Sequence, residues 1–324
     1  MTASTPDRAV KVTIDTFVRA ETDAYMARFV SAVGTGRFLH IRELAPIDNQ
    51  DVVRMNRDTV YSVAILDLAA GPATVTLPDA GDRFMSMLVI NQDHYAVGTH
   101  YDPGRYTITE GEIGTRYVVL VVRTFVNPTD PADLAKVHAL QDALTIEQVD
   151  PGRFEVPNWD QDSLAAIREA VKALSAAGNV DFRQAFGRRE EVNPVHHLIG
   201  TAVGWGGNPP HDAMYDSIEP EHADGETAYE LTVKDVPVDG FWSISVYNAD
   251  GYFEKNEAGA YSVNSQTATP NADGSFTMRF GGPDEAAPNY LPIVPGWNYT
   301  VRMYRPRQAI LDGTWTFPVA RPVG

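Results

Sequence analysis

Tyr117-Val-Val-Leu-Val-Val122 is apolar at every position, so an extended chain there offers no wet face. Such a strand has to be covered on both sides, which commits the chain to a layered fold containing β-sheet. Val60 to Leu68, Ala73 to Leu77, Arg83 to Asn91, Arg105 to Thr109 and Arg116 to Phe125 also read as strands, separated by Gly, Pro and Asp turns. The C-terminal third alternates with period two. Trp242, Ile244 and Val246 share one face, and Phe241, Ser243, Ser245 and Tyr247 the other. Phe276, Met278 and Phe280 repeat the pattern, and Trp297, Tyr299, Val301 and Met303 oppose Asn298, Thr300, Arg302 and Tyr304.

Helical spacing precedes and interrupts these strands. Val10, Ile14, Phe17, Val18, Tyr25, Phe29 and Val33 recur at three- and four-residue steps until Gly34-Thr-Gly36 stops them. Asp130-Pro131 opens a helix with the stripe Leu134, Val137, Leu140 and Leu144. Another begins near Asp160 with Leu164, Ile167, Val171 and Leu174, ending at Gly178-Asn179. The expected architecture is mainly β (α+β): two β-sandwich or jelly-roll-like modules with an N-terminal helix and a helical connector. In chain order this gives a β-rich domain over 1–150, a helical connector and loop over 151–210, and a C-terminal β-sandwich over 211–324. The loop-rich stretch from Gly204 to Gly225 marks the boundary between halves.

Charge narrows the partners. A formal net charge of -17 over 324 residues repels nucleic-acid backbones and anionic lipid headgroups, so neither nucleic acid nor membrane is an expected partner. The absence of cysteine removes disulfides, thiolate metal sites and a cysteine nucleophile, and fits a cytoplasmic protein. The opening Met1–Arg8 lacks a basic region followed by an apolar stretch, so no cleaved leader is expected. No dinucleotide fingerprint, phosphate loop or Gly-x-Ser-x-Gly elbow occurs, so no cofactor is expected. A homo-oligomer, most simply a homodimer, is the default assembly.

The polar block Arg54-Met-Asn-Arg-Asp-Thr-Val-Tyr-Ser62 runs straight into the apolar strand Val63 to Leu68. Charge at the mouth of a buried strand is costly unless the groups pair or do chemistry. In extended backbone, Arg57, Thr59 and Tyr61 face one way, and Arg54, Asn56 and Asp58 the other. The block therefore either binds a ligand or closes the strand end with an Arg54–Asp58 ion pair.

The block resembles a known family. Asn56-Arg-Asp-Thr-Val-Tyr-Ser62, with Asp67-Leu68, Gly71-Pro72, Leu77-Pro78 and Arg83-Phe84, is similar to the bacterial domain of unknown function DUF1254. Gly240-Phe-Trp-Ser-Ile-Ser-Val-Tyr247, Gly251-Tyr252, Asp273-Gly-Ser275 and Arg302-Met-Tyr-Arg-Pro306 are similar to its companion, DUF1214. The resemblance implies two β-rich modules joined by helices. It carries no assigned activity, beyond a loose description of some relatives as carboxylesterase- or hydrolase-like.

Other candidates follow from residue type. His94, in Asn91-Gln-Asp-His94-Tyr95, is the best general base, with Asp93 beside it in sequence. His196-His197 and the loop from Trp205 to Pro210 come next. A metal site would have to gather His40, His94, His100 and one of His196 or His197. A serine-based esterase would have to use Ser62, Ser86 or Ser243.

The leading expectation is an enzyme acting on a small polar or carboxylate-bearing molecule by hydrolysis or another acid–base reaction. His94, Asp58 and Tyr61 would be catalytic, and Arg54, Asn56, Arg57, Tyr95, Trp205 and Arg302 would hold the substrate. The alternatives are a non-catalytic binding or assembly module and a histidine-ligated metalloenzyme.

Overall fold

The computed structural model describes residues 9–50, 53–178 and 180–323. Met1–Arg8 and Asn179, which carry the leader and helix-stop readings, lie outside the described residues. Strand makes up 28% and helix 22%, so the chain is α+β and mainly β. Two compact units interleave along it. Unit 1 takes the described residues up to Ile41, Tyr61–Thr124 and His138–Pro209; unit 2 takes Arg42–Val60, Phe125–Val137 and residues from Pro210 onward. Residues 42–60 and 125–137 thus fold with the C-terminal strands, where the chain-order reading placed them in the first domain.

Unit 1 is built on β1 (Phe38–Ile41), β2 (Thr59–Asp67, its first two residues in unit 2), β3 (Ala73–Leu77), β4 (Met85–Asn91), β5 (Ala96–His100), β6 (Gly104–Ile108), β7 (Tyr117–Phe125, its last residue in unit 2) and β8 (Thr145–Glu147). A five-stranded sheet in the order β1-β2-β7-β4-β5 packs on a three-stranded sheet in the order β6-β3-β8. Val118, Leu120 and Val122 of β7 share one core with Val75 and Leu77 of β3. Tyr117, Val119 and Val121 enter a second core with Met26, Phe29 and Val30 of α1 (Phe17–Val33). Both faces of β7 are therefore buried, as its unbroken apolar run requires.

The short α2 (Glu110–Ile113) precedes β7, and α3 (Pro131–Asp142) follows it. Helices α4 (Gln161–Ala177) and α5 (Pro194–Val203) pack with α1 through Phe17, Ala20, Leu164, Val171 and Ile199. Asp160 caps α4 by accepting the Ser163 N–H at 2.9 Å, where the sequence placed that helix start. The expected first helix begins later than its apolar spacing suggested. Thr13 and Thr16 bond to one another's backbone and side chains, which competes with helical pairing, and Val10 and Ile14 stay 43% and 56% exposed.

Unit 2 holds β9 (Ala213–Ile218), β10 (Tyr229–Val233), β11 (Trp242–Tyr247), β12 (Ser262–Asn264), β13 (Phe276–Phe280), β14 (Tyr290–Leu291), β15 (Asn298–Tyr304), the short α6 (Gln308–Leu311) and β16 (Arg321–Pro322). Two four-stranded sheets, in the orders β12-β11-β15-β9 and β14-β13-β10-β16, form a sandwich. Neighbouring strands in these two sheets are antiparallel except β13 with β14. Trp242, Ile244, Val246, Tyr299, Val301 and Met303 face Leu231, Met278 and Phe280 across the core, as their alternation predicts. The opposite face of β11 and β15 is buried too. Ser243, Ser245, Asn298, Thr300 and Arg302 are each at most 5% exposed.

An ion pair between a buried carboxylate and a partly exposed guanidinium ties the end of β2 into unit 1. Asp67, 2% exposed at the end of β2, accepts Arg116 Nε at 2.9 Å and Nη2 at 2.8 Å, and the Arg153 N–H at 3.1 Å. Gly152, at φ 67°, leaves room for it: a Cβ there would lie 2.5 Å from Asp67 Oδ2. The Arg116 bonds hold the Asp67 carboxyl below its usual range against the opposing effect of burial. A carboxyl depressed in the folded state stabilises above its unfolded value near 3.8, and this is lost as pH falls through the folded value. Asp67→Asn is expected to cost roughly 2–3 kcal/mol at neutral pH, with a shallower loss of stability below about pH 4, read by urea unfolding across pH.

Candidate functional site

Buried polar side chains on β11 and β15 need hydrogen-bond partners, and segment 54–58 supplies them within unit 2. Arg302 donates from Nη1 to Ser245 Oγ at 2.9 Å, and from Nη2 to the Arg54 carbonyl at 2.8 Å and Tyr247 Oη at 2.6 Å. Tyr247 passes its own O–H to the Met55 carbonyl at 2.9 Å. Arg54, at φ 54°, donates to Asn298 Oδ1 at 2.5 Å. Asn56 donates to Tyr304 Oη at 2.8 Å and accepts the Asp58 N–H at 2.6 Å. Asp58 Oδ1 accepts from Asn264 at 3.2 Å. Arg54, Asn56 and Asp58 thus face the sheet together, as expected from their spacing. The alternative Arg54–Asp58 ion pair is not formed.

Charge in this layer is unevenly met. Burial pushes the Asp58 carboxyl up, opposed first by Arg302. Its Oδ2 and the neighbouring Ser243 Oγ are buried side by side, and the hydroxyl favours the carboxylate although the two fall short of good hydrogen-bond geometry. Burial works against the Arg302 charge, but the Tyr247, Tyr304 and Asp58 oxygens outweigh it, so the guanidinium stays ionised. Among the described residues, no carboxylate lies within 4.0 Å of Arg54, Arg57 or Arg302.

Arg57 turns the other way, into a pocket of about 320 Å³ within unit 2. Its guanidinium donates to the Ala45 carbonyl and sits 5.4 Å from the centre of the Tyr261 ring. Burial lowers its pKa, with Tyr261 and Asp58 opposing, yet a guanidinium remains charged at any physiological pH. Thr129, Tyr261, Ser262, Thr267, Thr269, Glu285, Asn289 and Tyr290 contribute the other polar side chains, with Pro128 and Val263 among the apolar wall. The Tyr261, Ser262, Thr269 and Tyr290 hydroxyls have no hydrogen-bond partner among the described residues. Burial, then the charge of Glu285, raises the Tyr290 phenol, which stays protonated and able to donate.

In unit 1, His94 lies in the β4–β5 turn at φ 63° and is 3% exposed. Its Nε2 accepts the Gly206 N–H at 2.8 Å, so the proton sits on Nδ1 and goes to Thr201 Oγ1 at 2.9 Å. Thr201 in turn donates to the His197 carbonyl at 2.9 Å. Burial, helped by His197, holds the His94 pKa well below the ordinary imidazole value. Both nitrogens of this ring are engaged. Asp93 does not orient it, because its carboxylate pairs with Arg19 at 2.6 Å. Tyr95 stacks on His197 at 4.5 Å, and Trp205 stacks between Tyr25 at 4.3 Å and His94 at 5.5 Å. Tyr61 lies under Arg123, 5.6 Å from its ring centre. The expected site residues therefore divide: Arg54, Asn56, Arg57, Asp58 and Arg302 in unit 2, and Tyr61, His94, Tyr95 and Trp205 in unit 1.

The structure also joins a pair that sequence left apart. His40 and Ser62 are opposite one another across β1 and β2, with Nδ1 and Oγ 2.8 Å apart. Ser62 is 1% exposed and also accepts from Gln141 at 3.2 Å, so its hydroxyl is engaged in a cross-strand contact. No group of three or more His, Asp or Glu is placed to hold a metal among the described residues, so the histidine-ligated alternative has no assembled site.

Arg302→Met is expected to destabilise the protein by on the order of 3–5 kcal/mol, because it strands Asp58 and frees segment 54–58. Arg302→Lys should rescue little of this, since a point cation lacks the planar fork, and guanidinium unfolding measures both. A depressed histidine contributes stability that is present above the unfolded value near 6.5 and is lost as pH falls below it. Lowering the pH from about 7.5 to about 5.5 should weaken the wild type more than His94→Asn, a residue that tolerates the positive φ, in paired denaturation curves.

Comparisons with known proteins agree on the fold and are silent on activity. A crystal structure of the VPA0106 protein from Vibrio parahaemolyticus matches with a TM-score of 0.71 at 17% identity, covering 96% of this chain and 98% of that one. An uncharacterised protein from Burkholderia cenocepacia matches with a TM-score of 0.54 at 16% identity, covering 95% of this chain and 86% of that one. No functionally curated protein matches the chain. Residues 35–148 match the family described as protein of unknown function DUF1254, and residues 213–308 the family described as protein of unknown function DUF1214. The chain therefore carries the DUF1254–DUF1214 domain pairing.

Proposed function

We propose that this chain binds a small, polar, anionic molecule in the Arg57 pocket of unit 2. The observation that supports the reading is a guanidinium with no carboxylate within ion-pair distance, opening on 320 Å³ of space among unengaged hydroxyls. In a chain of net charge -17, long-range forces repel anions, so a cation kept free of acidic partners is an arrangement that needs a local reason. A planar fork with one Nη already fixed on a carbonyl, and its face on a tyrosine ring, is pre-oriented to take a carboxylate through its remaining N–H groups. The volume falls at the lower end of small-molecule pockets.

Binding is favoured over catalysis because His94, the expected proton carrier, has neither ring nitrogen free. Besides Arg57 and the tyrosines, the ionisable side chain lining the pocket is the exposed Glu285. Calorimetric titration of the full chain with small monocarboxylates tests the reading. Arg57→Ala should weaken binding by at least about tenfold, or some 1.5–3 kcal/mol, while leaving the unfolding midpoint within a few degrees of wild type. Unchanged affinity in that variant removes Arg57, and the reading with it.

A further inference from the structure

We infer that the ligand of the Arg57 pocket is a polyhydroxylated monocarboxylic acid of about monosaccharide size. The inference rests on the anion-binding reading above and adds the class of molecule. Size comes first. A pocket of 320 Å³ holds roughly ten waters at about 30 Å³ each, enough for a six-carbon acid.

Polarity comes second. An apolar acid would cover the Tyr261, Ser262, Thr269 and Tyr290 hydroxyls without bonding them. Each donor so covered loses its water without gaining a partner. A ligand with several hydroxyls along its length meets them instead. The Thr269 backbone is held in place: Asn289, itself at φ 58°, donates to the Thr269 carbonyl at 2.9 Å and accepts its N–H at 2.8 Å. The Tyr261 ring is held against the Arg57 guanidinium.

Charge comes third. Arg57 is the cation lining the pocket, and the exposed Glu285 also lines it as an anion. One carboxylate fits the guanidinium, whereas a second, or a phosphate dianion, would meet Glu285. The small apolar surface of Pro128, Val263, Ala258, Ala260 and Ala287 suits the C–H face of a carbohydrate chain.

The test uses three six-carbon probes on the intact chain: gluconate, hexanoate and sorbitol. Gluconate and hexanoate share the carboxylate and differ in hydroxyls, while sorbitol keeps the hydroxyls and lacks the carboxylate. Calorimetry is expected to show gluconate binding at least about tenfold more tightly than either of the others. Arg57→Ala should abolish that binding, and Ser262→Ala or Tyr290→Phe should each reduce it about two- to tenfold with hexanoate unaffected. Equal or tighter binding of hexanoate, still dependent on Arg57, overturns the ligand class and leaves the anion pocket standing. Equal binding of sorbitol overturns the acid assignment. If no probe binds, or Arg57→Ala changes nothing, the pocket reading itself falls and takes this one with it.

Discussion

A guanidinium buried away from water must direct its N–H groups at protein oxygens, and Arg302 does so across a gap of about 250 residues in sequence. By donating to the Arg54 carbonyl and to Tyr247, which itself grips Met55, it fixes the backbone of segment 54–58 on the outer face of β11 and β15. Everything argued about Arg57 follows from that anchorage. With Asn56 and Asp58 held toward the sheet, and the Asn56 amide oxygen taking the Asp58 N–H in a turn, the intervening Arg57 lines the pocket instead. The conspicuous charges of the strand mouth therefore divide into two jobs. Arg54, Asn56 and Asp58 hold the segment down, and Arg57 is left over.

The histidines illustrate the difference between a group built for structure and one built for chemistry. A general base needs a lone pair that a substrate can reach. In His94 that lone pair accepts a backbone N–H, while the other nitrogen donates into a threonine that is itself engaged. Such a ring locks the β4–β5 turn to α5 and to the loop after it. Its depressed basicity is a consequence of the same burial, and a perturbed pKa here marks a packing constraint.

Much of the fold was legible because it rests on local periodicity. The apolar run of β7, the facing rows of β11 and β15, and the Asp160 cap came from spacing and residue type alone. The opposition of Arg54, Asn56 and Asp58 to Arg57 was expected from alternation, although a turn and not a strand produces it, and Thr59, expected beside Arg57, bonds to Asn56 instead. What escaped was set by distant partners. Nothing near residues 42–60 announces that they fold with strands from the C-terminal third, because those contacts are made by Arg302, Tyr247, Asn264 and Tyr304. The His40–Ser62 contact needed the β1–β2 register, and β5 escaped because Gly98 breaks its apolar pattern. At the first helix, local threonine bonding overruled a correct apolar spacing.

The interleaving of the two units bears on how the chain is made. Asp58 and its neighbours leave the ribosome some 240 residues ahead of Arg302, a delay of roughly 10–50 s at ordinary rates of translation. Throughout that interval the nascent strand end carries guanidinium and carboxyl groups whose eventual partners do not yet exist. Being charged, they stay hydrated and discourage sticking to other chains, so the same residues that later clasp the sheet first act as a solubilising bracket on an unfinished edge.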